Sequence, residues 1–383
     1  MTDADAVAAA RRVAGIAAAH AAEADRAATF PAGTISALAD EGLLAAVVPR
    51  TYGGRGLGPR ALTRVALTVA RGCGSSAMIW AMHQLQLACL VRHGGQTSQV
   101  PAELLSRLVR DDLLLASVTS EKGLGGDLFR SRACVEQESA ACRLEKAAPT
   151  VSYGEHAGAY LITARRSPSA DAEDQVAVIV PRNKVDLTRT GGWNPMGMRA
   201  TCSPPFLVRA EFDAAHVLSD PFRAVASGTL IPLSQVLWSA VWTGLAAEAL
   251  GRAARCLRER ADRTGSDVVD HRLAWADSML TGLEAQLSDA ADDVEAVLDG
   301  RASADRQFTQ KLNALKLAAS TTTVTVAQHA LALCGFLGYQ EDGPFSVARM
   351  LRDLYSAQIM VSNDRLLDTN AVHAVTLRAP SVS

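Results

Sequence analysis

The sequence predicts a mainly helical α+β protein in three successive units: an N-terminal helical domain over residues 1–112, a middle antiparallel β-barrel over 113–226, and a C-terminal four-helix bundle over 227–383. Three observations carry that expectation. Alanine-rich helical periodicity runs to about residue 112. Short segments rich in Val, Ile, Thr and Leu, cut by Gly, Pro, Ser and Asp, follow it to about Asp220, and long helical periods then resume. A chain of 383 residues also exceeds what one compact core holds, so several packed units are required.

In the first unit, Pro31, the segment PRTYGGRGLG (49–58), residues 72–76 and the glycines at 94 and 95 punctuate four or five helices. The stretch SSAMIWAMHQLQLACLVRH (75–93) is apolar nearly all round, which marks a buried helix. It carries His83 and His93, read first as satisfied core histidines, with catalysis as the alternative. In the middle unit, LLLASVTS, ACRLEKAAPTVSY, AYLITARR, DQVAVIVP and PPFLVRAEF succeed one another with no helical period between them. That succession argues for a barrel or sandwich rather than alternating strand–helix units. The last unit holds four long helical periods, 233–263, 268–298, 304–333 and 344–373, joined by short turns in the manner of an up-and-down bundle. The polar end APSVS closes the chain.

Composition narrows the function. Hydrophobic residues are 49% and charged residues 20%, a globular balance rather than a disordered one. Lys plus Arg total 38 against 40 acids, so the net charge of −2 supplies no field for gathering nucleic acid. Seven scattered cysteines without a C-x-x-C pair point to reduced thiols and away from a zinc site. No run reaches the roughly 20 unbroken apolar residues that span a bilayer, and MTDADAVAAARRVAG lacks the apolar core of a secretory signal. A cytoplasmic protein with no membrane span is expected.

The common local signatures of nucleotide loops, zinc proteases and serine hydrolases are not found. The glycines of 53–58 lack a strand–turn–helix setting and read as a turn between helices. Two other clusters have more informative settings: SEKGLGGD (120–127) follows the first strand, and CGFLGY (334–339) closes a long helix. Glycines there would let a backbone approach a flat or phosphorylated ligand, although a plain turn explains each equally.

Taken in order, these segments resemble the acyl-CoA dehydrogenase superfamily along nearly the whole chain. VPRTYGGRGLG is similar to the family's P-x-x-Y-G-G-x-G, SEKGLGGD to T-E-P-G-A-G-S-D, and WNPMGMRATCSPPF to the G-x-R-x-T-x-S segment. GLAAEALGRAARCLRER resembles a bundle helix, and LCGFLGYQEDGPFSVARMLRD the G-G-x-G-Y to R-D region. The resemblance implies FAD as cofactor. Ser120 stands where the family has a Thr beside the flavin, and Gly126, next to Gly125, where it has a Ser near the pyrophosphate. Thr150, Val151 and Ser152 occupy the family's W-I-T position against the ring, with the Ser152 hydroxyl and local amides implied to bond its edge; the bulky Trp is gone. Arg260, near Arg263 and Thr264, matches a residue that reaches across a subunit interface to FAD, and Gly335 and Gly338 match the loop holding the neighbour's cofactor, with Phe336 replacing a third glycine. A homodimer or homotetramer is therefore implied.

The departure falls on the catalytic base. In the family a glutamate removes the α-proton of an acyl thioester; the matching position in RDLYSAQIMVSNDR is Val361, and the family's other location for that glutamate is Ser234. Neither is a base near neutral pH. Asp364 is a replacement if the helix continues, since residues three apart then share a face; a surface ion pair with Arg365 is the competing reading. Glu155 and His156 are a second replacement or ordinary turn residues. Three functions follow: a flavin-dependent desaturase of a CoA-linked or carrier-protein-linked acyl group with a relocated base, passing electrons to a transfer partner; a monooxygenase on a small molecule, using flavin reduced by a separate reductase and needing no such base; or a non-catalytic subunit that keeps the fold.

Overall fold

The computed structural model describes residues 1–94, 99–265 and 269–378; Gly95, Val268 and the polar end 379–383 lie outside the described residues. Helices α1 (Asp3–Ala27), α2 (Ala32–Asp40), α3 (Pro59–Ala70), α4 (Gly74–His93) and α5 (Gln99–Arg110) form the first unit. Thr2 and Asp5 exchange side-chain and backbone bonds in a capping box that starts α1, and Pro59 starts α3. Helix α4 is buried on nearly every side, polar residues included.

His83 on α4 is a neutral core histidine. Its Nδ1 accepts from the Leu115 N–H at 3.0 Å, so its Nε2 carries the proton and donates to Leu44 O at 3.1 Å. Burial holds its pKa down to about 4 from 6.5. The unfolded chain takes up the proton first on acidification, so this histidine's contribution is whole above pH 6.5 and lost by pH 4. Denaturant unfolding is expected to lose up to about 3 kcal/mol across that window from this group, and His83→Gln to flatten that part of the slope. His93, at the end of α4, is bonded through Nδ1 to Asp220 at 2.6 Å and through Nε2 to Thr229 Oγ1 at 2.8 Å.

Strands β1 (Leu115–Val118), β2 (Glu136–Glu138), β3 (Ala141–Ala148), β4 (Ala159–Arg165), β5 (Gln175–Pro181), β6 (Val185–Arg189) and β7 (Phe206–Asp213) build the middle unit. They correct the expected antiparallel barrel: there are two open sheets, ordered β1-β4-β5 and β2-β3-β7-β6, and β1 runs parallel to β4 from Leu115↔Ala159 onward. Between β1 and β4 the chain leaves to make β2 and β3 of the other sheet, and such a crossover returns it parallel. Alternation along single strands reports facing, not pairing, so the sequence pattern could not separate these cases. β4 and β5 are buried on both faces, whereas β3 and β7 alternate, so the second sheet turns one face outward. Its inner face meets the first sheet where Lys146 of β3 donates to Thr163 O and Oγ1 of β4 at 2.7 and 2.9 Å.

The last unit comprises α6 (Phe222–Val225), a π turn (Ala226–Leu230), α7 (Ile231–Thr264), α8 (His271–Leu298), α9 (Arg306–Cys334), α10 (Phe336–Tyr339), α11 (Ala348–Leu354) and α12 (Asn363–Arg378). The run Phe222–Thr264 is long and apolar enough to cross a membrane by composition, but 72% of its apolar window is buried inside the protein. Gly244 lets α7 lie against α3: a Cβ there would sit 2.3 Å from Leu67 O. The fourth expected helix is not continuous. After α11 comes a 3-10 turn, Tyr355–Gln358, then a turn in which Val361 takes φ 56°, and α12 begins only at Asn363.

Candidate active site

The SEKGLGGD loop is fastened at its first acid. The buried Glu121 carboxylate accepts from Ser131 Oγ at 2.7 Å and from the Arg132 and Ala133 amides at 3.1 and 2.9 Å, with the Lys146 ammonium 3.8 Å away. Burial pulls the Lys146 pKa down to about 8. Beyond this anchor Gly123, Gly125 and Gly126 all take positive φ, 84°, 59° and 78°, which side chains resist. A Cβ built on Gly125 or Gly126 meets nothing within 4 Å, so the loop presents open backbone.

Two further segments converge on this loop. Ser120 Oγ donates to Thr150 O at 3.2 Å, which brings residue 150 beside it. Val151 turns into the core, fully buried, leaving Thr150 and Ser152 to face outward. The guanidinium of Arg365, in the first turn of α12, donates to Gly126 O at 2.6 Å and Gly125 O at 2.9 Å. Residues 120–126, 150–152 and 361–365 therefore meet.

Behind the last of these, the fully buried Lys316 of α9 donates from Nζ to Val361 O at 2.5 Å and to Asn363 Oδ1 at 2.6 Å. Burial lowers its pKa to about 8, and the ammonium stands 5.9 Å from the centroid of the Trp242 ring. Asn363 Nδ2 also donates to Ser320 Oγ at 3.1 Å. These contacts hold Val361 in its left-handed turn, so Val361 and Asp364 do not share a helical face, contrary to the continuous-helix expectation. Asp364 is exposed, and among the described residues it makes no ion pair with Arg365, whose guanidinium is turned to the glycine loop. Ser234 donates its proton to Ile231 O at 2.8 Å. Glu155 and His156 lie in a short turn where the His156 ring stacks on Phe30 with centroids 4.0 Å apart.

The remaining expected residues stand elsewhere. Arg260 Nη2 donates to Leu333 O at 3.2 Å, at the end of α9 that Gly335 terminates with φ 59°. Lys316 and Gly335 are separated by about 28 Å of α9 at ~1.5 Å per residue, so one chain does not bring them together. Gly338 serves packing: a Cβ there would lie 2.6 Å from Cys334 Cβ. Phe336, Leu337 and Tyr339 beside it are exposed.

The WNPMGMRAT loop is pinned to α11 and α1. Met198 N–H donates to the buried Asp353 carboxylate at 2.5 Å, and Arg352 pairs with Asp25 at 2.6 Å and Glu341 at 3.0 Å. Sequence reasoning missed Lys146, Lys316 and Asn363, and gave Arg365 only as an ion-pair partner of Asp364. A signal existed for the two lysines. Lys146 falls in phase with inward Cys142, Leu144 and Ala148, and Lys316 with buried Leu312 and Ala319, so each is a charge placed on an apolar face.

The architecture is a helical unit, a pair of stacked sheets and a second helical unit, with a glycine loop facing the turn before the final helix. Residues 5–110 match the acyl-CoA dehydrogenase N-terminal domain and residues 225–361 the acyl-CoA dehydrogenase C-terminal domain. The chain belongs to the acyl-CoA dehydrogenase superfamily. It is 26% identical over 366 residues to cyclohex-1-ene-1-carbonyl-CoA dehydrogenase of Syntrophus aciditrophicus, covering 92% of this chain and 84% of that protein. It is 27% identical to the amino sugar nitrososynthase DnmZ of Streptomyces peucetius, covering 88% and 84%. Among solved structures, FMN-bound TdsC from Paenibacillus sp. A11-2 superposes with a TM-score of 0.86 at 18% identity over 99% of both chains. Butyryl-CoA dehydrogenase from Megasphaera elsdenii superposes with 0.84 at 18% identity over 98% and 99%. At that identity the two superpositions speak for the fold alone.

Proposed function

We propose that this protein is a reduced-flavin-dependent monooxygenase acting on a small organic molecule. The observation that carries the reading is the state of the two base positions. Residue 361 is a valine whose carbonyl is held by an ammonium, and the Ser234 proton is spent on its own helix. The charged group touching residue 361 is a cation, Lys316, which is the wrong sign for removing a proton. The family's thioester desaturation needs a carboxylate there; oxygenation does not.

A flavin fits the residues present. Gly125 and Gly126 offer open backbone at conformations only glycine adopts readily, and the polar side chains of Ser120, Thr150, Ser152 and Arg365 come together around this loop. FAD is the form the family implies. Once reduced by a separate reductase, bound flavin supplies the reaction with molecular oxygen. The chain's own residues then orient and enclose: Arg365 brings positive charge to the phosphate side, Ser152 supplies a hydroxyl to the ring edge, and Lys316 fixes the 361–363 turn. The 28 Å gap between Lys316 and Gly335, about that on the α-helical rise, supports a composite site made by two copies, hence a homo-oligomer. The fold is shared with TdsC, described as a dibenzothiophene monooxygenase, and so accommodates this reading.

Acyl-thioester dehydrogenation, with Asp364 as base, is the second reading; it is favoured by similarity to the cyclohexene-carbonyl-CoA enzyme and by the place of Asp364 in the first turn of α12. Purified protein given externally reduced flavin is expected to consume oxygen in a substrate-dependent way. Anaerobic bleaching of bound flavin by an acyl thioester, abolished in Asp364→Asn, would instead establish the second reading. A colourless protein that refuses flavin would point to a non-catalytic subunit.

A further inference from the structure

Ser152 is the outermost of three hydroxyls in line. Ser203 Oγ donates to Ser152 Oγ at 2.8 Å, with Thr201 O a longer contact at 3.3 Å, and Thr201 Oγ1, which donates to Met198 O at 2.8 Å, lies 2.9 Å behind Ser203. Thr201 and Ser203 are each only 4% exposed, whereas Ser152 is at the partly open end. A hydroxyl has one proton. Ser152 is the shortest contact of the Ser203 hydroxyl, and with the Ser203 proton directed there and no acceptor for Ser152 among the described residues, the Ser152 proton is left to point out of the chain.

The backbone around this row is unusual in a way that fixes it. Met198, Cys202 and Tyr153 are non-glycine residues at φ 52°, 45° and 42°, a conformation costing about 1–3 kcal/mol each and kept where surroundings over-determine it. Tyr153 N–H is shared between Thr201 O at 2.8 Å and Cys202 O at 3.0 Å, so the residue after Ser152 is clamped to the loop that carries Ser203. A hydroxyl that accepts such a bond is polarised by it and becomes the stronger donor.

We propose that Ser203 is a positioning residue: by donating to Ser152 it turns that hydroxyl into a fixed-direction donor toward an acceptor on the bound flavin's edge. The proposal rests on the flavin reading of the site. A donor at that edge gains strength as the ring becomes electron-rich, so its loss makes reduction harder.

The test is the two-electron midpoint potential of the flavin-loaded protein, read against reference dyes, with the flavin dissociation constant measured in parallel. Ser152→Ala and Ser203→Ala are each expected to shift the potential negative by about 30 mV, a tenfold change in the reduced-to-oxidised ratio. The double variant is expected to shift no further, and Ser203→Thr, which keeps the hydroxyl, to retain the wild-type value. If Ser203→Ala is not recovered folded, Ser203→Cys is read in the same way. Normal flavin binding with an unmoved potential in the Ser203 variant, or additive shifts in the double variant, overturns the proposal and leaves the flavin reading intact. A wild-type protein that takes up no flavin overturns both.

Discussion

Replacing Lys316 by methionine is expected to lower stability by about 3 kcal/mol and the unfolding midpoint by roughly 4 °C. The ammonium is fully buried and supplies the donors for Val361 O and Asn363 Oδ1. Methionine fills the volume without a donor, so the Val361 carbonyl loses its bond and Asn363 Oδ1 keeps only the Ser320 hydroxyl at 3.2 Å. The 361–363 turn should then relax toward helix. With it Arg365 should swing away from Gly125 and Gly126, so flavin retention falls together with stability. Thermal unfolding and gel filtration with flavin absorbance check both halves. A variant that melts like the wild type and stays yellow would mean that Lys316 does not hold the turn.

Gly197→Ala should be more damaging still, by about 4 kcal/mol or more. A Cβ at Gly197 would lie 2.2 Å from Arg352 O and 2.7 Å from Asp353 N, both backbone atoms. Those atoms cannot retreat cheaply, because Arg352 is paired with Asp25 and Glu341 and Asp353 is bonded to Met198 N. Gly192→Ala, in the same loop but with nothing within 4 Å, is the matched control and should change stability by no more than about 0.5 kcal/mol. Soluble yield and denaturant midpoints compare the two directly; equal behaviour would mean the loop is looser than the Arg352 contacts imply.

What could be read from the chain beforehand was whatever depends on local periodicity and on motif order. The helical ends and the strand-rich middle follow from burying apolar faces at periods of 3.6 and 2, and the glycine loop was visible because Gly123, Gly125 and Gly126 sit where a strand ends. What could not be read was long-range. Which strands pair is decided by crossovers, so the parallel β1–β4 pairing was hidden. The break before α12 contains no Pro or Gly; it is imposed by Lys316, 45 residues away, although the run Ser362, Asn363, Asp364 carries the residue types that start helices and could have marked it. The row Thr201, Ser203, Ser152 joins positions 51 apart and leaves no trace in spacing.

The left-handed conformation of Val361 bears on how the protein could be re-engineered. A β-branched side chain is among the poorest choices for φ 56°, whereas Asn and Asp visit that region several times more readily. Val361→Asp is therefore a substitution the backbone should welcome, and its carboxylate would stand on a turn whose carbonyl is already held by the Lys316 ammonium. The turn is in effect a socket preformed for an acid it does not contain, and a laboratory search for gained desaturase activity has its natural starting point there.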